Sequence, residues 1–162
     1  MDTLSHALWG KGLFGYRNYS WYAPLFGSMP DLLSFGLYFI FSIITKPDFQ
    51  FGKPAIDEIP YWVFNLYDFT HSIVIAFLFI VIMLKINKEF CFPMLAWPFH
   101  ILLDFFTHSK DYFPTPIFWP ILNYKFDGIP WSNPMIWFLN VFLIFILFFY
   151  RIKLNKKIFN YL

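Results

Sequence analysis

Residues 61–84 read YWVFNLYDFTHSIVIAFLFIVIML. Ile73 to Leu84 is an unbroken apolar run, yet Asp68 and His71 lie in the first half of the same segment. About 20 apolar residues are enough to cross the hydrocarbon core of a bilayer as a helix. An ionisable side chain inside such a helix costs roughly 2.5–3.5 kcal/mol on insertion scales. The segment therefore predicts a membrane helix whose two polar residues need a partner.

The rest of the chain agrees with a membrane setting. Of its 162 residues, 59% are hydrophobic and 14% charged, against about 45–50% and about 25% in soluble domains. One soluble core of this size could not hide so much apolar surface. Residues 90–108 and 134–150 form further apolar segments, the latter broken only by Asn140. In residues 20–45, Pro24, Gly27, Pro30 and Asp31 interrupt the run and leave about 14 clean residues, Leu32 to Thr45. That is short of a simple span and predicts a loop at membrane depth followed by a helix. Residues 1–17 are too polar to span, and Asp2 or Thr3 is suited to cap a short helix there. The Pro- and Trp-containing residues 109–133 suit a belt at headgroup level.

These segments predict an all-α integral-membrane bundle. It has about four apolar helices plus an N-terminal interfacial or re-entrant helix, in a single domain over 1–162. With four crossings, Lys11, Arg17, Lys85, Lys88, Arg151, Lys153, Lys156 and Lys157 share one side. Lys46, Lys53, Lys110 and Lys125 share the other, which places both termini in the cytoplasm. The start lacks the basic flank of a cleavable signal peptide. The net charge of +2 is scattered, so direct nucleic-acid binding is not expected. The single Cys91 excludes an intrachain disulfide and a cysteine zinc cage.

The sharpest chemical pattern is His100-Ile-Leu-Leu-Asp104-Phe-Phe-Thr-His108. Spacing of four and eight keeps all three side chains within ~80° on one helix face. Four residues rise ~6 Å, so His100 and Asp104 can share an ion; eight rise ~12 Å, so His108 cannot join them along a regular helix. Either the helix ends at Thr107 and the chain turns back, or Asp104 bridges two ions. Asp68, one turn before His71, suits either an acceptor for the far N–H of a ligating imidazole, a general base, or a ligand itself. Asp31 follows Pro30, where a carboxylate favours a helix start. A divalent cation would satisfy these buried imidazoles and carboxylates together.

The set Thr3-Leu-Ser-His6, Met29-Pro30-Asp31, Thr70-His71-Ser72 and His100-x-x-x-Asp104 resembles the YdjM-like family, over about two-thirds of the chain. Its members are described as inner-membrane-associated, LexA-binding and assigned as metal-dependent hydrolases. The resemblance implies an inner-membrane location and a LexA-type regulator as partner. It also brings His6 into the ligand set. Many members carry Arg-Gly before the Thr-His-Ser equivalent, where this chain has Asp68-Phe69. The order of His and Asp is also distantly similar to the zinc core of bacterial phospholipase C and the S1/P1 nucleases. There the Asp of the His-x-x-x-Asp pair bridges two of three zincs. No histidine follows His108 here, so one or two ions fit better than three.

The combined expectation is a membrane-bound, metal-dependent hydrolase, with zinc the favoured metal. It would act with activated water on a phosphoester or other ester of a lipid or small molecule. His6, Asp31, His71, His100, Asp104 and His108 would be the ligands, with Asp68 and Asp104 in catalysis. Two competitors are a divalent-metal transporter or channel and a non-catalytic regulatory protein with a structural metal.

Overall fold

A computed structural model describes residues 1–50 and 52–159, with side chains through Leu154. Lys156 and Lys157 of the basic tail lie outside the described side chains. Helices α1 (Thr3–Phe14), α2 (Tyr22–Asp31) and α3 (Leu37–Thr45) are followed by α4 (Tyr61–Thr70) and α5 (Ile73–Ile86). Then come the short α6 (Cys91–Met94), α7 (Ala96–Thr107) and the long α8 (Pro134–Phe159). There is no strand among the described residues.

The loop expected near Pro30 is absent. α2, a π-helical turn over Leu32–Gly36, and α3 run on as one helical rod, Tyr22–Thr45, of 24 residues. Pro24 stands in the first turn, where a helix needs no N–H from it. Pro30 removes a hydrogen bond further in, and the widened turn that follows absorbs the mismatch. Ser34 donates its hydroxyl to the Pro30 carbonyl at 2.8 Å.

This rod and Pro134–Leu154, of 21 residues, are long and apolar enough to cross a membrane. α4 and α5 make a third crossing if their 55° bend is one broken span. The fourth expected span shrinks to Cys91–Thr107, about 26 Å of helix against a core of about 30 Å. α8 is the most outward of the helices. Phe138, Phe142, Phe145 and Phe149 are all exposed, as lipid-facing side chains would be.

The bend between α4 and α5 is held from outside both helices. The Ile73 N–H donates to the Ile117 carbonyl at 2.9 Å. The Trp97 indole donates to the Thr70 carbonyl at 2.7 Å, and Ser72 Oγ donates to the Trp119 carbonyl. At membrane depth each of these groups would otherwise be stranded. The segment that reaches them, with Phe113, Thr115 and Ile117 buried, is thus core and not only an interfacial belt.

α1 is not laid against the outside. It is capped by Asp2, whose carboxylate accepts the Ser5 N–H at 2.8 Å. Its buried positions are Ser5, His6, Gly10 and Gly12, a small and polar face. Glycines let α1 and α2 touch backbone to backbone. A Cβ on Gly27 would lie 2.4 Å from the His6 carbonyl oxygen, and one on Gly10 2.5 Å from that of Ala23. Polar links then fasten α8 to α1. Asn140 donates to Ser5 Oγ and accepts from the Trp9 indole, both at 2.8 Å. Arg151 donates to the Gly12 carbonyl at 2.7 Å. At that same end Asn18 meets Glu89 and Tyr19 meets Asn87.

Candidate metal centre

α7 turns His100 and Asp104 inward, and both are buried. α2 ends on Asp31, and the α4–α5 bend delivers His71. One ligand atom from each of these residues lies within 4.8 Å of all the others. Five of the six separations are tighter. His71 Nε2 and His100 Nε2 are 3.2 Å apart. Asp104 Oδ2 is 3.2 Å from His100 Nε2 and 3.6 Å from His71 Nε2. Asp31 Oδ1 is 3.6 Å from His71 Nε2 and 3.8 Å from His100 Nε2. Four N/O donors at ~2.0–2.1 Å around one tetrahedral ion would stand ~3.3 Å from one another.

The protons point the same way. His100 Nδ1 lies 2.7 Å from the Gly27 carbonyl and His71 Nδ1 3.1 Å from the Tyr67 carbonyl. A carbonyl only accepts, so each imidazole carries a proton on Nδ1, and in its neutral form aims a lone pair from Nε2 into the cluster. Two lone pairs and two carboxylates therefore converge with no donor between them. Asp104 Oδ2, fully buried, has no hydrogen-bond partner among the described residues. A cation is the missing complement.

The other oxygen of Asp104 faces a second group. A carboxylate only accepts, so His6 Nε2 donates to Oδ1 at 2.9 Å and its buried Nδ1 is left without a hydrogen-bond partner among the described residues. His108 Nε2 lies 3.8 Å from Oδ1, and the Met1 amino group also contacts it. α7 does end at Thr107. His108 is extended (φ −114°, ψ 135°), so its ring returns to the cluster instead of continuing up the helix. Burial, helped by the neighbouring His100, pushes the His6 imidazole down to about 3. Burial likewise takes His108 down to about 4. Both rings are thus neutral near pH 7, the form that ligates metals.

All six residues expected as ligands gather around Asp104, four in the tight quartet and two on its far side. Asp68 does not join them. The acceptor for the His71 Nδ1–H is the Tyr67 carbonyl, so the role expected of the Asp68 carboxylate there is already filled. Half-buried Asp68 has the charged Lys125 as a neighbour. Sequence reading missed Tyr67 and the Gly27 carbonyl. Tyr67 stood one turn before His71 in an apolar helix, and that spacing was the available signal. Thr3 completes the shell by donating to Asp31 Oδ2 at 2.8 Å.

Asp31 lies about 14 Å along the rod from Tyr22, near the middle of its ~36 Å. His71 sits at the middle of the bent pair. The cluster is therefore placed at mid-length of the apolar helices. No known family, curated protein or solved structure matches the chain in comparison.

Proposed function

We propose that this protein is an integral-membrane hydrolase that uses a divalent metal, with zinc the best fit to its nitrogen and oxygen donors. Asp31, His71, His100 and Asp104 would hold the ion. Asp104 Oδ1, His6 and His108 would hold a second where two are bound. The observation that carries the reading is the convergence of two Nε2 lone pairs and two carboxylates, with both Nδ1 protons tied to backbone carbonyls. Such an ion lowers the pKa of water and polarises an ester oxygen.

The chain's own residues supply the setting. The Gly27 and Tyr67 carbonyls fix the imidazoles, and Thr3 fixes Asp31. Asp31 and His108 retain 12% and 14% exposure while the others are closed, so water and substrate would enter on their side. A site midway along apolar helices favours an ester presented by the membrane, with phosphoesters of lipids first among them. Asp68 would act only through its charge or through substrate. Lys11, Arg17 and Arg151 gather around the C-terminal end of α1, and the positive-inside rule would turn that end to the cytoplasm of an inner membrane.

Purified protein is expected to carry stoichiometric zinc and to cleave a lipid phosphoester in mixed micelles, with both lost in His71→Ala. Zinc flux into vesicles without turnover would instead support transport. Bound zinc with no turnover on lipid or soluble esters would support a structural metal.

A further inference from the structure

Tyr67 is the residue that joins the two halves of the cluster. Its backbone carbonyl accepts from His71 Nδ1 at 3.1 Å. Its ring stacks on the His71 imidazole with centroids 3.8 Å apart and planes 20° apart. Its hydroxyl lies 2.9 Å from His108 Nδ1 and 2.9 Å from the Phe113 carbonyl. The phenol has one proton to give. The Phe113 carbonyl can only accept, so the Tyr67 O–H goes there and the remaining lone pair faces His108. The Nδ1 of His108 must then be the donor, which leaves its Nε2 bare toward Asp104.

The acceptor at the end of this relay is itself built. Phe113 adopts φ 49°, a left-handed conformation uncommon outside glycine. It is held there by face-to-face packing on Phe64 at 4.7 Å and edge contacts with Phe35 and Tyr67. That strain aims its carbonyl at the phenol.

We infer that Tyr67 is a positioning residue that fixes His108 in the Nδ1–H form through a Phe113 C=O···H–O–Tyr67···H–Nδ1 His108 relay, and so readies His108 as a ligand beside Asp104. The consequence for metal binding rests on the function proposed above; the tautomer does not.

The test is ¹⁵N NMR of histidine-labelled, metal-free protein in detergent at pH 8, with His108 assigned by its loss in His108→Gln. His108 is expected with its proton on Nδ1. A proton on Nε2 in the wild type overturns the inference without any variant. Tyr67→Phe keeps the ring and the backbone carbonyl. It should move His108 toward the Nε2–H form while His71 and His100 stay on Nδ1, and an unmoved His108 also overturns the inference. In a cobalt(II) titration, Tyr67→Phe should weaken the His108-dependent ion about 10–100-fold and leave the quartet's ion in place. Wild-type protein that binds no cobalt, with the tautomer as expected, would sink the hydrolase reading and leave the relay standing.

Discussion

Asp104→Asn should remove the metal-dependent part of the protein's stability while relieving one stranded acceptor in the metal-free state. In the metal-free protein, Asp104 Oδ2 is buried and unpaired while facing the Nε2 lone pairs of His100 at 3.2 Å and His71 at 3.6 Å. Stranding such an acceptor costs about 1–3 kcal/mol. Asparagine has the same shape, and its amide N–H groups would point at those lone pairs. Its remaining oxygen still receives the groups on the other side. At Oδ2 the metal-free variant should therefore gain about 1–3 kcal/mol, ~2–12 °C in Tm for a chain of this size, offset by the loss of the carboxylate charge that faces the Met1 amino group. With zinc at 100 times its Kd, the wild type should gain about 2.7 kcal/mol, or ~5–11 °C, and the variant nothing. Tryptophan fluorescence during heating in detergent, first in EDTA and then with excess zinc, reads both numbers. An equal zinc shift in both proteins would refute the metal site.

Gly27→Ala places a methyl 2.4 Å from the His6 carbonyl, so α1 must back away; stability should fall by about 1–3 kcal/mol, and zinc content measured by mass spectrometry should fall with it. Asn140→Leu keeps volume but cuts α8 from Ser5 and Trp9; we expect a loss of about 1–3 kcal/mol from two stranded partners, visible in thermal unfolding, with zinc content unchanged. Asp68→Asn should leave zinc stoichiometry at the wild-type value, since its carboxylate is outside the cluster; a lost ion would show that Asp68 ligates.

The residue pattern of 100–108 made much of the site legible, because a helix face is set by local geometry alone. Spacing left two ways for His108 to join the site, a helix end at Thr107 or a second ion bridged by Asp104, and the helix does end at Thr107. What the spacing could not carry was contact between distant segments. The Gly27 carbonyl on α2 serves His100 on α7, and nothing near residue 100 encodes that contact. The same limit misplaced Asp68: an i−3 carboxylate is an obvious partner for His71, but the backbone carbonyl of Tyr67 is nearer. Pro30 was read as a break because proline usually is one, whereas here the helix runs through it into a π-turn over Leu32–Gly36. Apolar length alone did not establish a span at residues 90–108, where the helix Cys91–Thr107 is shorter than the two clear candidates.

The bend at Thr70-His71-Ser72 has a consequence for how the protein is made. Its open backbone groups are met by Trp97 and residue 117, and its Ser72 hydroxyl by residue 119, all of which leave the ribosome after α5. Until they arrive, a straight helix through residues 61–86 is the form that leaves no N–H or C=O stranded in lipid. His71 would then be held out of place during insertion. The ligand quartet would close only when the later segment docks and the helix breaks, so metal capture would be among the last steps of biogenesis and would report that the whole chain has been threaded correctly.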